Sequence, residues 1–391
     1  MQDALIITTA IAVLLFVGVI CSWMGNKLRI PDILLLILTG MFFGAIEYKN
    51  QPLIQFPTVF LTSVAILALA MIVFDSTARL PIRELDTFSL KAVKLTFVGT
   101  LFTLVFFTAA VHYIINLPFW VSLLLASIMT GTAPEAVLTF AGKSKVLTLL
   151  KLESLFNTPL TVILPFVVLD LMENITALQI AEVIEQAVPF IMKFIVGIGA
   201  GVFVGIVLFK IVQKSYVEVY SPLVVIIAAL LAYVLAENLG GSGVLSVTAL
   251  GLFFGNVYVK QKITLLGIES VMAKALYILV FMLTGIIIKI PFTKEFFIAS
   301  GILFGTYTAI RFFACWISLR KEYKLGELIF MSLDAPKGVA TAAVVFILTV
   351  YNIEGITTMI DMIFAFILYS IILASIVTWI SHFYENSPTR H

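Results

Sequence analysis

The sequence predicts an all-α polytopic membrane protein of about thirteen transmembrane helices, built as two inverted six-helix repeats with two broken helices that cross. Three features of the chain point to this class. Of its 391 residues, 61% are hydrophobic and only 12% charged, and the mean hydropathy of +1.14 lies far outside the range of soluble domains. Apolar runs long enough to span a bilayer recur from residue 4 almost to residue 383, which leaves no stretch for a separate soluble domain. Finally, distant parts of the chain echo one another at an offset of about 202 to 211 residues.

A hydrocarbon core takes about 20 apolar residues per helix, fewer where a site interrupts it. On that measure thirteen segments lie near 4–23, 31–46, 57–75, 90–115, 118–141, 150–172, 184–210, 219–237, 242–258, 270–289, 295–318, 327–350 and 357–382. The first, ALIITTAIAVLLFVGVICSW, has no basic flank and no small-residue cleavage site, so it reads as a spanning helix rather than a removed signal. Cys21 and Cys315 fall inside apolar runs with no pairing or metal-ligand spacing and read as packing residues.

Lys and Arg collect in short cytoplasmic loops. The odd-numbered links between these segments carry sixteen basic residues, from Lys27 to Lys324, and the even-numbered links only Lys49, Lys289 and Lys294. The alternation predicts a cell-membrane protein with its N-terminus outside and its C-terminus in the cytoplasm.

The internal echo has two parts. LLILTGMFFG at 35–44 matches SVTALGLFFG at 246–255, pairing Gly40 with Gly251 and Gly44 with Gly255; Ala133-Pro134-Glu135-Ala136-Val137 matches Ala335-Pro336-Lys337-Gly338-Val339. One integral membrane domain over 1–391 is expected, with repeat one over about 4–172, a linker helix over about 184–210 and repeat two over about 219–382. A single linker helix after six spans turns the second copy upside down. Gly197, Gly201 and Gly205 give the linker a small-residue face that packs either within the chain or between two copies.

Polar groups at bilayer depth are costly without partners, so they mark sites. Pro134 and Pro336 each remove a backbone donor and disfavour helix in the preceding residue, so both repeats break at the same place, near Thr132 and Asp334. Two half-helices meeting at mid-depth expose dipole ends that can hold an ion. Glu135 follows Pro134 in the favourable first turn, whereas Lys337 occupies the matching position, where a cation needs an acidic partner. Glu153 is the candidate for that partner, as a structural ion pair; the alternative places it, solvated, at the cytoplasmic end of its segment near Lys151. Ser154, Asn157, Thr158 and Thr161 share one helical face, which supplies either oxygen ligands to a small cation or bonds to neighbouring helices. Asp75 either pairs with Arg79 at an interface or reaches the site from a third helix. The expected cation-binding region is therefore Thr132, Ala133, Ser154, Asn157, Thr158 and Asp75, with Thr132, Ser154 and Thr158 as candidate sodium ligands.

RIPDILLLILTGMFFG, VFDSTARL, ESLFNTPLTVILP, GGSGVLSVTALGLFFGN and APKGVATAAVVF, in this order and across nearly the whole chain, resemble motifs of the monovalent cation/proton antiporter superfamily, in particular its NhaP-type sodium/proton antiporters. The resemblance implies thirteen helices, a homodimer, and a core domain that moves against a dimerisation domain. It also implies a monovalent cation and protons as substrates; no cofactor and no nucleic-acid partner are expected, and the lack of a nucleophile–base arrangement, metal-ligand cluster or phosphate-binding loop in the sequence argues against enzymatic activity. The family pattern places one aspartate in T-D-P and another in N-D, and these bind the cation and exchange it for protons. Here those positions are Ala133 and Thr158, neither of which titrates near neutral pH, and the family's arginine on the second broken helix is Lys337.

Three readings follow. The chain is an antiporter scaffold with impaired exchange, natural or made by substitution in an active parent. Alternatively it is a transporter whose coupling acid has moved to Asp75, Glu135, Glu153 or Asp334, or it is a sensor or channel-like protein on the same fold. The five surviving motifs favour the first.

Overall fold

A computed structural model describes residues 2–28, 31–48, 51–52, 56–79, 87–133, 145–174, 180–214, 220–257, 262–288, 290–348, 351 and 353–385. Apart from a two-residue antiparallel pairing of Glu47–Tyr48 with Gln51–Pro52, its regular structure is helical. In order the helices are α1 (Gln2–Leu28), α2 (Asp32–Gly44), α3 (Thr58–Ala78), α4 (Thr87–Phe102), a π-helical turn (Thr103–Phe107) running into α5 (Thr108–Ile115), α6 (Phe119–Met129) and α7 (Lys145–Asn174). They continue with α8 (Ile180–Lys214), α9 (Tyr220–Asn238), α10 (Gly243–Asn256), α11 (Lys262–Ile287), α12 (Lys294–Leu319), α13 (Leu325–Leu333), α14 (Val339–Leu348) and α15 (Ile356–Glu385). Among the described residues nine helices are long and apolar enough to cross a membrane, and Asp32–Gly44, Phe119–Met129 and Gly243–Asn256 are shorter apolar helices. The protein is a multi-pass membrane protein.

Local chemistry accounts for several ends. Ser242 accepts from the Leu245 amide and caps α10, and Thr293 does the same for α12 through Phe296. Asn116 closes α5 with φ of 54°, a left-handed conformation that asparagine tolerates. The segment expected as one span over 90–115 contains the π turn, at whose start Thr103 donates to the Gly99 carbonyl at 2.8 Å. Such back-bonding competes with the regular ladder and eases insertion of an extra residue.

Backbone contacts divide the chain into two compact units. Unit 1 comprises Met1–Leu61, Thr87–Thr161 and Ile278–His391, and unit 2 comprises Thr62–Asp86 and Val162–Tyr277. In unit 1, an apolar cluster of Ala92, Leu95, Leu149, Leu150, Cys315, Leu319 and Met331 joins α4, α7, α12 and α13, so Cys315 is a packing residue there. In unit 2, the linker helix α8 lays its glycine face on α10: a Cβ on Gly201 would stand 2.0 Å from the Ser246 carbonyl oxygen. The small-residue stripe is thus used within the chain.

Glycine permits a second close approach once in each unit. In unit 1, a Cβ on Gly40 of α2 would meet the Met282 carbonyl oxygen of α11 at 2.3 Å, and one on Gly44 the Ile286 oxygen at 2.6 Å. In unit 2, a Cβ on Gly251 of α10 would meet the Thr77 hydroxyl of α3 at 2.0 Å, and one on Gly255 the Ala78 oxygen at 2.5 Å. Gly40→Ala and Gly251→Ala should each cost about 1–3 kcal/mol through overpacking. Gly305→Ala, with nothing within 4 Å of the added carbon, should be neutral or slightly stabilising. Thermal unfolding in detergent checks this, and equal midpoints for the three variants would contradict the packing.

Candidate functional site

Unit 1 contains both helix interruptions. Helix α6 stops at Met129, and 131–133 are non-helical; on the other side α13 stops at Leu333 and Asp334–Gly338 run without helix before α14. The two breaks meet directly, because the Ala133 amide donates to the Pro336 carbonyl at 2.8 Å, and a Cβ on Gly338 would stand 2.2 Å from that of Ala133. Proline and glycine make this possible, the first by lacking an amide donor and the second by lacking a side chain. Pro134 and Glu135 lie outside the described residues.

Lys337 is fully buried at the crossing. Its ammonium donates to the carbonyls of Met129 and Gly131 and to the Tyr307 hydroxyl, each at 2.6 Å, and lies 4.2 Å from the centre of the Tyr307 ring. Its own amide is held by the Ser370 hydroxyl at 3.0 Å. The expected Glu153–Lys337 ion pair is therefore corrected. Lys337 takes the carbonyl end of α6, where the helix dipole is negative and the last acceptors lack intrahelical donors.

Glu153 pairs instead with Arg311 of α12. Two parallel bonds of 2.9 Å join Arg311 Nη1 and Nη2 to the two carboxylate oxygens, with both residues buried, and Arg311 Nε donates to the Met331 carbonyl at 3.3 Å. The forked guanidinium matches a carboxylate at both oxygens, which an ammonium cannot do. The solvated alternative for Glu153 is likewise excluded.

The polar face of α7 is divided in its uses. Asn157 is buried and donates its amide to the Thr130 carbonyl at 2.8 Å and to the Thr132 hydroxyl at 3.3 Å, tying α7 to the first interruption. Ser154, Thr158 and Thr161 donate to carbonyls three or four residues back in their own helix, at 3.1, 2.7 and 2.9 Å. Their hydroxyl protons are thereby committed within the helix. Thr132, Ser154 and Asn157 are buried and Thr158 is half-buried. Among the described residues, no three His, Cys, Asp or Glu side chains gather to hold a metal ion.

Asp334 is buried at the second interruption, and neither carboxylate oxygen has a hydrogen-bond partner among the described residues. Glu153 and Arg311 lie within electrostatic range of it. Asp75 belongs to unit 2, where its carboxylate accepts from Arg79 Nε at 2.7 Å and from the Ser270 hydroxyl at 2.6 Å, with the buried Glu269 beside it. The pairing with Arg79 weighed from sequence is the one observed. Sequence reasoning missed Tyr307 as a partner of Lys337 and Arg311 as the partner of Glu153. The available signal was chemical, since a buried carboxylate with two cations to choose from favours the forked one.

The sequence model of the family described as "Sodium/hydrogen exchanger, transmembrane" matches residues 11–380. Among relatives, the Na(+)/H(+) antiporter NhaH of Halobacillus aidingensis is 29% identical over 266 residues, covering 63% of this chain and 63% of that protein. The K(+)/H(+) antiporter NhaP2 of Shewanella sp. (strain ANA-3) is 27% identical over 319 residues, covering 79% of this chain and 54% of that protein. The chain thus spans roughly half to just under two thirds of the length of these relatives. In three dimensions it is similar to the sodium proton antiporter MjNhaP1 from Methanocaldococcus jannaschii at pH 8, with a TM-score of 0.80 at 21% identity over 96% of this chain and 100% of that one. That likeness establishes the fold. With its family match running from residue 11 to residue 380, the chain belongs to the transmembrane sodium/hydrogen exchanger family.

Proposed function

We propose that this protein is a secondary-active antiporter scaffold for a monovalent cation and protons, in which exchange is impaired because Ala133 and Thr158 stand where the family pattern has carboxylates. The observation that carries the reading is the crossing itself. The first interruption, joined to the second by the Ala133–Pro336 bond, presents buried Thr132 and Asn157, neutral groups, with no acid at 133 or 158. Neutral oxygens leave much of a buried cation's desolvation cost uncompensated, and none of them titrates in the physiological range. Coupling needs one site that holds either a cation or protons, and a carboxylate meets that need because the same oxygens serve both.

The wider reading comprises a cell-membrane protein of thirteen spans, N-terminus outside and C-terminus cytoplasmic, working as a homodimer without cofactor or enzymatic activity. The inverted repeat is supported by the glycine contacts: Gly40 and Gly44 on α11, and Gly251 and Gly255 on α3, are equivalent pairs once the halves are matched at the sequence offset of about 202 to 211 residues. Sodium is the cation named for one relative and potassium for another, so both belong in the assay.

Reconstitution into proteoliposomes with an internal pH dye tests the proposal. Sodium or potassium gradients should move few protons through the unmodified chain, and the double variant Ala133→Asp/Thr158→Asp should raise the rate by ~10-fold or more, about 1.4 kcal/mol in activation free energy. Robust exchange by the unmodified chain would overturn the impairment. One observation favours a second reading, in which the coupling acid has moved: Asp334 is a buried carboxylate with both oxygens unbonded among the described residues. In that case the unmodified chain exchanges, and Asp334→Asn abolishes the activity while Asp75→Asn does not.

A further inference from the structure

The apolar cluster that joins α4, α7, α12 and α13 lies at one end of unit 1, since it draws on the early turns of α4 and α7 and the last turns of α12. Exposed basic side chains gather at this end. Lys94, Arg320 and Lys321 have no acidic partner among the described residues, and the neighbouring acids are engaged elsewhere. Glu322 pairs with Lys91, and Glu327 accepts from the Lys324 amide at 2.7 Å.

Two of these cations are held by the last turn of α12. Lys94 Nζ donates to the Ser318 carbonyl at 3.0 Å, one of the acceptors that a helix end leaves without intrahelical donors, and two of its three donors remain. The Arg320 guanidinium lies over the Trp316 ring, 4.7 Å from its centre. Stacking engages the face of the guanidinium and leaves its N–H edge for an oxyanion. Both cations continue an exposed apolar strip at helical spacing: Val93, Phe97 and Leu101 on α4, and Phe313, Trp316 and Ile317 on α12. In a multi-pass membrane protein such a strip faces acyl chains, and tryptophan sits at the level of the headgroups.

We propose that this end of α4 and α12 binds an anionic phospholipid, its phosphate taken by Lys94 and Arg320 and its acyl chains laid along the exposed strip. The guanidinium edge offers a phosphate two parallel donors, and the ammonium adds a point charge. A zwitterionic headgroup carries its own cation, which the three cations at this end repel, so net negative charge on the lipid is what the surface selects. A free phosphate would meet the same donors but leave the apolar strip unused. The inference requires only that the chain spans a membrane, so it holds or fails independently of the antiport reading.

Trp316 is itself the probe. A full chain carrying Trp23→Phe, Trp120→Phe and Trp379→Phe keeps it as the one tryptophan of the original four. In phosphatidylcholine vesicles, its fluorescence is titrated with dibrominated phosphatidylglycerol or dibrominated phosphatidylcholine. The anionic lipid should quench with a relative association constant higher by ~5-fold or more. Lys94→Gln/Arg320→Gln, both at exposed positions, should bring the two lipids level, and Arg320→Gln alone should lose part of the preference. Lys294→Gln, at the other end of α12, should leave it unchanged. Lipid co-purified with the unsubstituted chain from mixed vesicles should be enriched in phosphatidylglycerol, which gives a reading free of the tryptophan changes. Equal quenching by the two lipids would overturn the proposal, as would a preference that survives the double variant or disappears with Lys294→Gln. Loss of the preference in inorganic phosphate, against chloride at matched ionic strength, would also overturn it by showing a site for free anions.

Discussion

Replacing Glu153 by alanine should lower the unfolding free energy of the detergent-solubilised protein by about 3–5 kcal/mol, because it leaves the Arg311 guanidinium buried without its counter-charge. Arg311→Ala should cost a similar amount, since it strands the carboxylate and also removes the donor to the Met331 carbonyl. The double variant should lose much less than the sum, because neither member of the pair is then left without its counter-charge. A buried ion pair replaced whole is often close to neutral in stability, and the penalty belongs to the half-pair. Arg311→Lys keeps the charge and loses the fork, so it should fall between the unmodified chain and Arg311→Ala. Chemical or thermal unfolding of the four proteins completes the double-mutant cycle, and strictly additive losses would show that the two residues do not touch.

The second large effect concerns Lys337. Lys337→Met keeps the length of the side chain and removes the ammonium, so the Met129 and Gly131 carbonyls lose a donor that their own helix cannot supply. Each buried acceptor left unpaired costs about 1–3 kcal/mol, so a loss of about 2–6 kcal/mol is expected for the two. Lys337→Arg should be milder, because its donors can still reach the carbonyls although its planar head is bulkier. Thermal unfolding reads both variants. A Lys337→Met protein as stable as the unmodified chain would mean that the carbonyl end of α6 is satisfied without the ammonium.

Much of the fold was legible because the bilayer imposes one solvent on the whole chain. The segment expected over 31–46 is α2 at Asp32–Gly44, and that over 295–318 is α12 at Lys294–Leu319. Backbone groups in hydrocarbon must bond within their own helix, so apolar length alone locates such elements. The breaks were legible for a related reason: Pro134 and Pro336 cannot donate, and helix stops before each, at Met129 and at Leu333. The π turn at Thr103–Phe107 was not legible, because no proline or glycine lies within it to mark the irregularity.

By itself, then, the amino-acid sequence determined that this is a multi-pass helical membrane protein, where two of its helices break, and that acids are absent at 133 and 158. These are consequences of hydropathy, of missing amide protons and of residue identity, all local properties. Only the tertiary structure decided which partner each buried charge takes. Glu153 lies 158 residues from Arg311 in the chain, and Lys337 lies 208 from Met129. Lys337 was expected to need an acid because a carboxylate is visible in sequence as a partner for a cation. The carbonyls that hold it belong to every residue alike and become a cation site only where a helix ends and leaves them without donors.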